Sequence, residues 1–170
     1  MIAWRPPAGS YDGAFRRALA AAVEQHRAMA GEREEAGQFA RRMAEQPQAR
    51  RELAVRNRVR NWWAAQALVD EAWGLVVRDP QDAVQLTALA LEIAGSLDGS
   101  IGRLPLVADL VARAERVRAA ALRRLGDLTR AGAALRRAWH SLRRGSGDPR
   151  ERSLHLLARG ALLAAQGRRR

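Results

Sequence analysis

Twice in this chain an aspartate stands directly before a proline, at Asp79-Pro80 and Asp148-Pro149, and at Gly126-Asp127 a Gly-Asp pair by itself divides two runs of helix formers. These are marks of helix ends. An Asp side chain accepts from the free backbone N–H groups of a first turn, proline suits the first helical position, and glycine closes a helix. β-Branched residues are sparse, and no stretch alternates apolar and polar residues between turn signals, so a sheet is not expected. The marks divide the chain into about seven helices, over 14–30, 32–46, 48–77, 80–97, 105–125, 129–144 and 149–166, and the fold class is all-α. Asp12 reads as the cap of the first, Gly31 as its stop and Pro47 as the end of the second, which makes residues 1–47 an N-terminal helical hairpin. Asp98-Gly99-Ser100-Ile101-Gly102 reads as a loop and Pro105 as the opening of the fifth helix.

Helical periodicity shows which faces are apolar. Over 129–144, Ala131, Ala134, Leu135, Ala138, Trp139 and Leu142 share one sector, and Arg130, Arg136, Arg137, Arg143 and Arg144 occupy the opposite one. Over 105–125, Leu106, Val107, Leu110, Val111, Ala114, Val117, Ala121, Leu122 and Leu125 share a face. The two-residue connection between these helices makes them antiparallel neighbours. In the last helix, Leu154, Leu156, Leu157, Leu162 and Leu163 spread nearly all round, and an unpaired apolar face there favours dimerisation through that helix or aggregation.

All 30 basic residues are arginine, an exclusion of lysine that points to coding bias as much as to selection of a binding surface. Their placement is uneven. Residues 1–102 hold as many arginines as carboxylates, and the whole net charge of +12 lies in residues 103–170. Such asymmetry suits an anionic partner, whether an acidic protein segment, nucleic acid or a lipid surface. Arginines also serve as the wet faces of amphipathic helices, their stems covering apolar surface.

The chain contains no cysteine, so disulfides, thiolate metal sites and thiol chemistry are excluded. It has no apolar run long enough to span a bilayer, and its first residues lack a secretory pattern, so a cytoplasmic protein is expected. Groups for catalysis are few. His26, His140 and His155 stand at no metal-ligand spacing, and neither a phosphate loop nor a nucleophile elbow is present. Gly95-Ser96-Leu97-Asp98-Gly99 reads as a helix end and turn. Glu32, Glu34 and Glu35 suit the dipole of a first helical turn. His140 and His155 are placed to face one another across the last two helices as a pH-sensitive pair, or to lie apart as ordinary exposed or core histidines. No catalytic residue, cofactor or metal is expected. Trp62 and Trp63, beside Arg56, Arg58 and Arg60, admit two readings: a platform on which single-stranded bases stack, or packing against different neighbouring helices.

One segment resembles a known family. Ala119 and Leu122 precede Gly126, and Ala131, Leu135 and Ala138 follow it, at the spacings of a tetratricopeptide (TPR) unit. Small residues in such a unit let two helix backbones approach closely. Weaker echoes occur at Ala83, Thr87 and Ala90 and at Gly160, Leu163 and Gly167. Glu115 and Arg118 depart from the pattern, standing where the family has large apolar residues, Arg143 replaces the usual proline, and the spacing from Ala83 to Ala131 exceeds the unit of about 34 residues. The resemblance covers residues 60–167, with 105–145 as its specific part, and the region assigned to it is 48–170. It implies antiparallel hairpins stacked as a short right-handed solenoid, ending in a polar-tipped cap or as a truncated array. It also implies a non-catalytic module that binds another protein in a groove, with Arg113, Arg116, Arg118 and Arg123 as contacts for acidic groups. The alternative is a nucleic-acid-binding or regulatory-complex component that uses the arginine-rich C-terminal half.

Overall fold

A computed structural model describes residues 10–46, 61–97 and 104–167. Among these every regular element is a helix: α1 Ser10–Glu45, α2 Trp62–Leu75, α3 Pro80–Ser96, α4 Leu104–Arg124, α5 Leu128–Leu142 and α6 Pro149–Ala165. None of them is long and apolar enough to cross a membrane. The chain divides into two units, Met1–Glu35 and Ala36–Arg170.

The first unit differs from the sequence expectation. Instead of two helices meeting at Gly31, α1 runs unbroken from Ser10, so Asp12 lies inside it. A lone helical glycine costs only about 1 kcal/mol against alanine. Gly31 is not among the glycines with positive φ that would close a helix, and Ala30, Glu32 and Glu34 around it are good helix formers. Expectations for the part of the third helix before Asn61 and for the Asp98–Gly102 loop fall outside the described residues.

In the second unit the caps are formed by the expected residue types. Asp79 Oδ1 accepts from Asp82 N at 2.9 Å, Asp127 Oδ1 from Arg130 N at 2.9 Å and Asp148 Oδ1 from Arg150 N at 2.8 Å. Asn61 does the same for Trp63 N at 2.8 Å. Gly126, at φ 80°, ends α4. Asp127 N donates to Leu122 O at 3.0 Å and Gly126 N to Arg123 O at 3.1 Å, the bond pair of a left-handed glycine cap.

From α2 to α6 each helix packs on the next, and alternate helices also touch, α2 against α4 and α4 against α6. Leu68, Val69, Leu86 and Thr87 form the centre of the larger core, which also takes in Ala40 and Met43 from the end of α1. Ala119, Leu122, Ala131, Ala134, Leu135 and Leu162 form a smaller cluster between α4, α5 and α6. The α4–α5 pair is the most extensive contact, and its buried alanines allow the close approach.

Helix α4 is also bound to its neighbours by charge. Arg113 pairs with Asp70 of α2 at 2.7 Å, Arg116 with Glu151 of α6 at 2.7 Å, and Arg137 of α5 donates from Nη2 to Glu115 Oε2 at 3.0 Å. Asp109 Oδ2 accepts from Ser146 N at 3.0 Å and so holds the loop ahead of α6. That loop passes so close that a Cβ on Gly145 would overlap the Asp109 carboxylate. Glu115, out of place in a repeat pattern, is thus buried because a guanidinium two turns into the next helix reaches it.

Candidate binding grooves along the last helix

The last helix is the least covered in the second unit. Of its side chains only His155 and Leu162 are buried, and Leu156 and Leu157 remain 60% and 70% exposed. The cause is the arrangement already visible in its sequence: leucines point in several directions, while α4 and α5 can cover only one side. Grooves are left on both flanks.

The larger, of about 530 Å³, runs between α5 and α6. Leu135, Trp139, Leu162 and Leu163 supply apolar surface, and Arg136, His140 and Arg159 supply polar groups along it. Trp139 stacks on His155 with ring centroids 5.5 Å apart and planes tilted by 30°. The smaller, of about 260 Å³, lies between α2, α4 and α6 and is lined by Trp73, Arg116, Arg123, Leu154 and Leu157 among others. Among the described residues no carboxylate lines either groove. The larger groove therefore joins an apolar floor to the charges of Arg136 and Arg159, while in the smaller one Arg116 is already paired with Glu151.

His155 is buried and its Nδ1 has no hydrogen-bond partner among the described residues. Burial lowers its pKa, and the charges of Arg116 and Arg159 lower it further. The ring is therefore neutral at pH 7, an aromatic wall for the groove. The Arg137 guanidinium, by contrast, is held more firmly protonated by its hydrogen bond to Glu115 and by that carboxylate's charge, which outweigh burial.

The candidate contacts read from the sequence are scattered. Arg113 and Arg116 are engaged with Asp70 and Glu151 inside the chain. Arg118 is half-buried with its Nε lacking a partner among the described residues, and Arg123 lies at the smaller groove. Trp62 and Trp63 meet edge to face, 4.9 Å apart at 84°, and Trp62 packs against the larger core. Arg56, Arg58 and Arg60 lie outside the described residues. Ala119, Leu122, Ala131, Leu135 and Ala138 are all buried, with Gly126 at the turn between them. His140 and His155 line the same groove, but it is Trp139 that stacks on His155. Ser96 Oγ donates to Ile93 O at 2.7 Å, a helix-end contact.

Trp139 corrects an assignment: its sector is the apolar one, yet the ring is 43% exposed because the groove opens above it. Arg136 and Arg159 were not singled out by sequence reasoning. The spread of leucines round α6 was the available signal, since a helix apolar on several sides implies an uncovered flank and gives weight to the cations beside it. No protein-family model, curated protein or solved structure matches this chain.

Proposed function

We propose that this chain is a non-catalytic interaction module of the TPR-like helical-repeat kind, and that it receives an acidic, amphipathic helix or peptide of another protein along α6. The observation that carries this reading is the groove between α5 and α6, apolar at Leu135, Trp139, Leu162 and Leu163 and cationic at Arg136 and Arg159, with the polar ring of His140 beside them. An apolar helix face with flanking carboxylates complements it on both counts. Contact between alternate helices α2, α4 and α6, and the small residues between α4 and α5, support a stacked-pair arrangement. Arg136 and Arg159 replace the internally paired Arg113 and Arg116 as the principal contacts.

The test is titration of the purified protein with a labelled helical peptide bearing leucines on one face and glutamates beside them. Arg136→Glu combined with Arg159→Glu is expected to weaken binding at least about tenfold, because each substitution sets like charges against each other. Arg124→Glu, outside the groove, is expected to leave it nearly unchanged. Equal affinity for all three proteins would remove the groove from consideration.

A second reading has its own support. Arg143, Arg144, Arg150 and Arg152 are all exposed around the α5–α6 connection, a cationic end suited to phosphates. Nucleic-acid affinity that falls steeply with salt and is lost on replacing these four would favour it over the groove.

A further inference from the structure

Within the first unit, α1 carries an apolar stripe. On α1, Phe15, Leu19, Ala22, His26 and Met29 succeed one another at alternating spacings of four and three residues. This is the repeat of a coiled-coil seam. Every side chain from Phe15 to Glu35 is exposed, Phe15 and Leu19 keeping 69% and 54% of their surface in water. A helix in this condition is marginal, since most helical stability in proteins comes from packing an amphipathic face.

We infer that the stripe pairs α1 with the α1 of a second copy of this chain, the two running antiparallel. The charges select both partner and direction. From Phe15 to Val23 the segment has two arginines, Arg16 and Arg17, and no carboxylate. From Glu24 to Glu35 it has four glutamates, Glu24, Glu32, Glu34 and Glu35, against two arginines, Arg27 and Arg33. One half is net positive and the other net negative by the same amount. Antiparallel pairing of identical helices sets each half against its opposite, whereas parallel pairing sets like against like. A register that places Ala22 of one copy against His26 of the other also places Leu19 against Met29 and Phe15 against the aliphatic stem of Arg33, so small meets large at the centre of the seam and apolar surface meets apolar surface on either side of it. Glu24, at the midpoint, then lies on the outer face. A helix lying on a membrane surface would carry a strongly basic polar face, and this one is mixed with an acidic end.

The test uses the full chain, which has no native cysteine. Sedimentation equilibrium is expected to show a dimer, and Leu19→Glu is expected to weaken it at least tenfold with α-helical signal from the rest of the chain retained. Single-cysteine variants then report direction. Val23→Cys, near the midpoint, is expected to cross-link to itself with a short bismaleimide. Phe15→Cys is not, because antiparallel copies hold that position roughly 27 Å apart along the pair, at about 1.5 Å per residue. A monomer throughout the micromolar range, a dimer indifferent to Leu19→Glu, or stronger self-linkage at residue 15 than at residue 23 each overturns the proposal. So does a monomer that sediments with anionic phospholipid vesicles.

Discussion

Helices α5 and α6 are similar in length and rich in leucine, alanine and arginine, yet they behave differently. In α5 the apolar residues occupy one sector, and Ala131, Ala134, Leu135, Ala138 and Leu142 are buried in it. In α6 they spread round the axis, and only His155 and Leu162 are covered. The width of an apolar stripe reports how many sides of a helix require a neighbour. Where the helix has fewer neighbours than apolar sides, the surplus becomes a groove. In the function proposed above, the surface that would receive a partner is the uncovered part of this apolar pattern, with cations on its edges.

The sharpest test of this contrast is truncation of a leucine on each helix. Leu135→Ala is expected to lower unfolding free energy by about 3 kcal/mol, through lost transfer energy and the cavity it leaves. Leu157→Ala, at 70% exposure, should stay within about 0.5 kcal/mol. Similar losses in urea melts would mean that α6 is as well covered as α5.

A smaller effect is expected from the ion pair that ties α6 to α4. Glu151→Ala leaves the Arg116 guanidinium buried without its carboxylate, and should cost about 2 kcal/mol, less than for a fully enclosed pair because both ends keep some water. The same denaturation experiment reads it. A cost near zero would mean that α6 is held by its apolar contacts alone.

The smallest effect is on pH dependence. The folded-state pKa of His155 is depressed, so above the ordinary histidine value folded and unfolded chains are both neutral there and stability is full. As pH falls below about 6.5, the unfolded chain takes up the proton first, and stability declines until the folded-state value is reached. The melting temperature of the native chain should therefore fall between pH 7 and pH 5.5 more steeply than that of His155→Gln. Parallel profiles would show that the ring is freely protonated in place.

Much of the second unit was legible residue by residue. Asp79, Asp127 and Asp148 cap helices through bonds to N–H groups two or three residues away, and Gly126 turns the chain with bonds spanning a single turn. The apolar sector of α5 announces its buried alanines for the same reason, since a helix repeats regularly enough to be turned by hand. Gly31 was misleading because the residue type is compatible with both a stop and a continuation, and nothing beside it forces the backbone into the left-handed region. Arg113, Arg116 and Glu115 illustrate a different limit. As letters they read as contacts for a partner or as departures from a repeat, and only the packing shows each beside an opposite charge from another helix.

The sequence by itself determined the class of the fold, the ends of helices α3 to α6, the pairing of α4 with α5 and the concentration of positive charge in the last two fifths. These depend on interactions within a few residues or on composition, which a linear reading contains. The tertiary structure alone decided which arginines are satisfied inside the chain, which tryptophans stand open and which side of α6 goes uncovered. Those outcomes depend on how many helices reach a given face and on which distant side chains arrive beside it, and no local rule carries that information.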